Sequence, residues 1–106
     1  MTAELITIKW REIPAQVTAR DGRRKVSIQL SDRFQVAIDR AASRADKKTT
    51  DEYLAEWHRT AVECGPDLAA EAERAADLLE SEFTPEVLRA YVRAGGLAPT
   101  RESEDR

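Results

Sequence analysis

The sequence predicts an α+β fold in which a three-stranded antiparallel sheet at the amino-terminal end packs against about four helices from the rest of the chain. Alternation of apolar and polar residues with a period of two runs through residues 5–28 and predicts strands. The Asp-Gly pair at positions 21 and 22 interrupts this run and predicts a hairpin turn. From residue 32 onward, apolar side chains recur at helical spacing between capping residues, so we expect helices there.

The first strand is predicted over residues 5–10, where successive side chains point to opposite faces of a sheet. Ile6, Ile8 and Trp10 then share the face opposite to Lys9. Pro14 cannot donate a ladder hydrogen bond, so we expect it to separate the first strand from the second.

The second and third strands are predicted to form a hairpin with a two-residue loop at Asp21-Gly22. A type I′ turn needs positive φ at both central positions, and Asp-Gly is among the pairs that adopt it most readily. This loop places Val17 opposite Val26 and Ala15 opposite Ile28. The apolar side chains of both strands then fall on one face, and a slip by one residue would destroy that agreement.

The helices are predicted from the residues that cap them. The expected N-caps are Ser31, Thr49, Asp67 and Thr84. Pro85 suits the first position of the last helix, and Gly95-Gly96 is expected to end that helix.

The second helix is predicted to begin with a capping box, in which Thr49 caps the helix and Glu52 reaches back to the cap. We expect this helix to continue to Gly65-Pro66, a pair that ends one element and starts another. The side chains that it is expected to bury are Tyr53, Leu54 and Trp57.

Chain length and composition predict one domain over residues 1–96, followed by a flexible polar tail over residues 97–106. No apolar run approaches the roughly 20 residues that span a bilayer, so no membrane partner is expected. The first residues lack the features of a secretory signal, and we expect a cytoplasmic protein. Cys64 is the single cysteine of the sequence, so no internal disulfide can form.

The net charge of -3 conceals an uneven distribution of charge. Residues 1–48 hold 11 Lys and Arg against 6 Asp and Glu, a net charge of +5. Residues 49–106 hold 6 Lys and Arg against 14 Asp and Glu, a net charge of -8. Such asymmetry concerns surfaces and partners rather than the fold, and it fits either an anionic partner or mere attraction between the two halves.

No constellation of residues predicts catalysis, a metal site or a cofactor. His58 is the single histidine, and it lies six positions before Cys64. Nothing in this spacing indicates that Cys64 is a nucleophile with His58 as its base. A structural zinc site requires four Cys and His ligands, and this sequence has two such residues. The glycines lie at turns or helix ends, so no phosphate-binding loop is predicted. A small enzyme or methyl carrier that uses His58, Cys64, Glu52 and Glu56 remains a third reading.

Basic residues are expected to make the outer face of the sheet the main candidate surface. The residues predicted to lie there are Lys9, Arg11, Arg20, Arg23 and Lys25; with Arg24 they form the candidate interface or anion-binding set. The alternative is an ordinary solvated face whose charges guard the sheet edges. Outward aromatic residues that would stack on RNA bases are missing from the pattern.

The sequence resembles a family of short bacterial virulence factor domains, which are also found in conserved virulence factor C-type proteins. The resemblance spans roughly residues 4–96 and is carried by four stretches: Ile8-Lys-Trp-Arg-Glu-Ile-Pro-Ala-Gln-Val17, Gly22-Arg-Arg24, Arg33-Phe34 with Ala37-Ile-Asp-Arg-Ala-Ala42, and Asp51-Glu-Tyr-Leu-Ala-Glu-Trp57. The first of these is the specific one. The resemblance implies an association of stand-alone members with enzymes of folate- and corrinoid-dependent methyl transfer, and it supplies no catalytic residues.

These observations together predict a non-enzymatic accessory protein that binds a protein partner, with enzymes of one-carbon methyl transfer as the candidates. Arg11, Arg23 and Arg24 are the expected interface residues, and Trp10 and Pro14 are expected to shape the strand crossover. The alternative is a nucleic-acid-binding regulator that uses the basic face of the sheet.

Overall fold

The computed structural model describes residues 3–47 and 49–99, which form an antiparallel sheet with helices on one face. In chain order the elements are β1 (Ala3–Trp10), β2 (Ile13–Asp21), β3 (Arg24–Gln29), α1 (Asp32–Arg44), α2 (Thr50–Ala55), β4 (Trp57–Cys64), α3 (Leu68–Glu82) and α4 (Pro85–Arg93). The prediction of an α+β fold with four helices is confirmed. The predicted tail lies mostly beyond the described residues, which end at residue 99.

The sheet has four strands in the order β3-β2-β1-β4, so the prediction of three strands is wrong. The fourth strand comes from residues 57–64, which were expected to continue the second helix. That helix ends at Ala55 because the following residues include Trp57, Thr60 and Val62, which favour strands. Leu54, expected to be buried, is 57% exposed.

The β2–β3 hairpin has its loop at Gly22-Arg23 rather than at Asp21-Gly22. Gly22 has φ +62° and Arg23 does not have positive φ, which matches a type II′ turn, where Gly occupies the first central position. Val17 therefore lies opposite Ile28, two positions from the predicted register. A shift by two keeps every side chain on its predicted face, and it places Asp21 opposite Arg24, a pair of opposite charges.

A β-bulge lies where β1 and β2 approach their shared turn. Ile8 pairs with Gln16 and Lys9 pairs with Pro14, so Ala15 is an extra residue on β2. Pro14 is fully buried at this bulge, where its missing N–H breaks no regular ladder.

The core lies between the sheet and the helices. α3 packs across β2, β3 and β1, while α1 packs against β2 and α4. The largest fully buried side chains are Trp10, Phe34, Ile13, Ile38, Val17 and Pro14. None of the helices in the described part of the chain is both long and apolar enough to cross a membrane.

The predicted caps at Thr49, Asp67 and Thr84 are confirmed by hydrogen bonds from backbone N–H groups to their side chains. Ser31 occupies the N-cap position of α1 without such a bond. Its hydroxyl and its backbone N–H instead donate to the carboxylate of Glu80 at 2.9 and 2.7 Å, which ties α1 to the far end of α3.

Candidate functional site

The face of the sheet turned away from α1 and α3, here called the open face, carries three rows of side chains defined by the strand pairing. Across β3, β2, β1 and β4, the first row is Lys25, Arg20, Glu4 and Glu63; the second is Ser27, Thr18, Ile6 and Ala61; the third is Gln29, Gln16, Ile8 and Arg59. Side chains of these rows line a shallow hollow of about 390 Å³. The open face is therefore a concave surface that combines charged, polar and apolar side chains.

One end of the open face is strongly positive, and we call Arg20, Arg23 and Lys25 the cationic corner. Arg20 and Lys25 lie directly opposite each other on β2 and β3, and Arg23 lies in the turn beside them. Arg20 Nη2 lies 2.8 Å from Glu4 Oε1 in an exposed ion pair. Within the described residues, neither Arg23 nor Lys25 has a carboxylate within ion-pair distance, so the corner retains positive charge.

The middle of the open face combines hydroxyl groups with apolar side chains. The Oγ1 atom of Thr18 and the Oγ atom of Ser27 lie 2.8 Å apart in a cross-strand hydrogen bond. Ile6 is only 5% exposed although it lies outside the main core, and Ile8 beside it is half-buried. A ligand on this face would meet apolar surface and hydrogen-bonding groups next to the cationic corner.

Three of the six predicted site residues, those of the cationic corner, lie together on the open face. Lys9 does not, because Ile8 occupies that face and the next residue of the strand points to the other side. Arg24 is also on the other side, where it lies opposite Asp21 and lines a separate hollow beside Leu68 at the start of α3. Lys9 was predicted on the outer face of the sheet, with Ile6 and Ile8 on the inner face. The side chains alternate as predicted, but each lies on the opposite face from the predicted one, so this prediction is wrong.

Arg11 was also expected on the outer face, and this prediction is wrong. β1 ends at Trp10, and Arg11 lies in the following turn with φ +52°. Its Nε atom lies 3.3 Å from Glu56 Oε1, its Nη1 donates to the carbonyl oxygen of Gly95 at 3.1 Å, and its guanidinium lies over the Trp10 ring. Arg11 thus joins the start of β4 to the end of α4 and serves the fold.

Glu56 is paired with two basic side chains, Arg11 and Lys47. Its hydrogen bond from Arg11 is the main cause that lowers the pKa of the carboxyl, and Lys47 Nζ at 3.5 Å acts in the same direction. The carboxylate is therefore held in its charged form by two cations.

Trp10, which the Arg11 guanidinium overlies, also contacts Tyr53 of α2. Its Nε1 donates to the carbonyl oxygen of Tyr53 at 2.8 Å, and its ring stacks on that of Tyr53 with centroids 5.9 Å apart. The ring of Tyr53 also meets Trp57 edge-on at 6.0 Å. This aromatic cluster fixes α2 against the crossing of β1 into β2.

His58 and Cys64 do not form a catalytic pair. They lie at opposite ends of β4, and six residues of extended chain place them about 20 Å apart. The Nε2 atom of His58 is hydrogen-bonded to the carbonyl oxygen of Arg11. Burial raises the pKa of the Cys64 thiol, and nearby carboxylates such as Glu71 raise it further, so the thiolate is disfavoured.

No three His, Cys, Asp or Glu side chains of residues 3–47 and 49–99 lie close enough together to hold a metal ion. The open face presents positive charge, hydroxyl groups and apolar surface next to one another.

Sequence reasoning missed Arg59, Ile6 and Ile8 as parts of this surface. The predicted second helix includes Arg59, although Trp57, Thr60 and Val62 around it favour a strand. Ile6 and Ile8 gave no signal of their own, because their alternation fits either side of a sheet.

Comparison with known families supports the resemblance seen in the sequence. A family model described as Virulence factor matches residues 8–92, which include β2, β3, β4, the first three helices and all of α4 except its last residue. The comparisons with curated proteins and with solved structures give no match. Because the family model covers most of the chain, the protein belongs to the virulence factor family.

Proposed function

We propose that the protein is a non-enzymatic binding module that holds an acidic segment or surface of a protein partner on its open face. The cationic corner carries this proposal. Arg20 and Lys25 lie directly opposite each other, and like charges in that position destabilise a sheet. An anionic partner at the corner would offset this repulsion.

The surroundings of the corner favour a protein over a nucleic acid. The hydroxyl groups of Thr18 and Ser27 can bond to a peptide backbone, and Ile6 and Ile8 offer apolar contact. Single-stranded nucleic acids are usually held by stacking on aromatic side chains, and none of the described residues that line the hollow is aromatic.

Among protein partners, we propose an enzyme of folate- or corrinoid-dependent methyl transfer. The support for this choice is the association implied by the family resemblance rather than any feature of the open face. In this proposal the protein is auxiliary to the enzyme and contributes no catalytic group.

The test compares the wild-type protein with a variant in which Arg20→Gln and Lys25→Gln are combined. Partners are captured from the native host at low salt, purified, and titrated by calorimetry. We expect the double variant to bind about tenfold more weakly, since two exposed charge pairs are lost. The matched control combines Arg44→Gln and Arg93→Gln, which remove the same charge from exposed helix positions.

Equal binding by the wild-type protein and the variant at the cationic corner would overturn the proposal, as would recovery of the protein alone. Oligonucleotides provide the second arm of the test. Tight binding to single-stranded RNA or DNA in about 50 mM salt, weakening steeply as salt rises, would replace the protein partner with a nucleic acid.

A further inference from the structure

The edge strand β4 is exposed on both faces of the sheet, and one edge of its backbone has no neighbouring strand within the described residues. Its six central residues, 58–63, are all exposed, and Val62 among them is 61% exposed. In the order β3-β2-β1-β4, this strand pairs with β1 alone within the described chain. The other side of its backbone therefore presents N–H and C=O groups that could pair with a further strand.

The charges of β4 form a two-sign pattern. Arg59 lies opposite Ile8 and Glu63 lies opposite Glu4, so both charged side chains are on the open face, four residues apart. Glu63 faces the like charge of Glu4, whose own ion-pair partner is Arg20. Over residues 3–47 and 49–99, neither Arg59 nor Glu63 takes part in an ion pair.

We propose that β4 is a self-association edge that pairs antiparallel with β4 of a second copy, about a two-fold axis at Ala61. In this register Arg59 of each copy lies directly opposite Glu63 of the other, which forms two identical ion pairs on the open face. On the other face, Thr60 of each copy lies opposite Val62 of the second, a pair of β-branched side chains that suits neighbouring strands.

Other registers lack this complementarity. A shift by two residues removes both pairs between Arg59 and Glu63. A shift by one residue turns the open face of one copy toward the helical side of the other, because side chains alternate along a strand. The small side chain of Ala61 at the axis also leaves room for its counterpart.

Charges on an edge strand often prevent association, but that role fits residues of one sign, which repel a second copy. The pattern of β4 instead attracts an antiparallel copy and relieves the repulsion between Glu63 and Glu4. The dimer would have one continuous sheet of eight strands, with both open faces on the same side and the helices on the other.

The test is sedimentation equilibrium of the full-length protein and of charge-reversed variants. We expect the wild-type protein to dimerise and Glu63→Arg or Arg59→Glu to weaken the dimer at least about tenfold, because two attractive pairs become repulsive. The control Glu73→Arg makes the same charge change on an exposed position of α3 and should leave the dimer intact. Circular dichroism checks that every variant is folded.

Two further measurements make the register itself testable. The double variant R59E/E63R should regain the dimer, since the charges exchange places. An equal mixture of R59E and E63R should form a mixed dimer that is tighter than the dimer of either variant alone. A wild-type protein that is monomeric at about 1 mM, a concentration that populates even millimolar dimers, would overturn the proposal. A dimer unaffected by the single reversals, or no assembly in the mixture, would also overturn it.

Discussion

Replacing Lys25 with Glu should stabilise the fold while it removes a cation from the cationic corner. Lys25 lies directly opposite Arg20, so Lys25→Glu exchanges a like-charge pair for an opposite-charge pair. Cross-strand pairs of this kind contribute about 0.2–1 kcal/mol, and both side chains are exposed, so we expect a net gain of about 0.5–1 kcal/mol. For a domain of this size that gain corresponds to an increase of roughly 2–8 °C in Tm.

The assay is urea denaturation followed by circular dichroism, at low salt and again at about 1 M salt, where charge interactions are screened. The control is Arg24→Glu, which makes the same charge change one residue away but places a like charge opposite Asp21. We expect this control to lower the free energy of unfolding. The reasoning fails if both variants change stability in the same direction, or if the gain from Lys25→Glu persists unchanged at high salt.

Two further predictions concern stability. Gly96→Ala should lower the free energy of unfolding by about 2–4 kcal/mol, because Gly96 has φ +95° and a Cβ there would lie 2.7 Å from the Trp10 ring. Gly22→Ala is the control, because Gly22 has φ +62° with open space around it, and it should cost only about 1 kcal/mol. Equal losses of stability in urea denaturation would contradict the close contact at Gly96. Glu56 has a folded pKa below its ordinary value of 4.5, so its stabilisation is present above about pH 4.5 and is lost as pH falls through the folded value. Wild-type stability should therefore fall more steeply below that pH than the stability of Glu56→Gln, and identical pH profiles would exclude this linkage.

The hairpin illustrates what the sequence could and could not predict. Period-two alternation constrains which face each side chain takes, so the apolar face of β2 and β3 was predicted correctly. The register was two residues off, because a slip by two preserves that alternation. The two loops differ only in local detail, namely the pairing of Asp21 with Arg24 and a positive φ at Gly22 but not at Arg23.

The fourth strand was missed for a different reason. Burial imposes the alternation by which strands are recognised, and β4 buries neither face between Trp57 and Cys64. Its only strand partner within the described residues is β1, more than 45 positions earlier in the chain, which no local pattern indicates. For the candidate site, the three cations near the turn were found from local spacing, while Arg59 depended on this distant pairing.

The central position of β1 has a consequence for how the chain folds. β1, β2 and β3 can associate early, because their pairings are local and close short loops. The pairing of β1 with β4 joins residues as far apart as Ala3 and Cys64, so its loop-closure entropy is larger and we expect it to form later. During synthesis, one edge of β1 therefore stays unpaired until the ribosome has released residue 64, and a nascent chain is most exposed to mispairing in that interval.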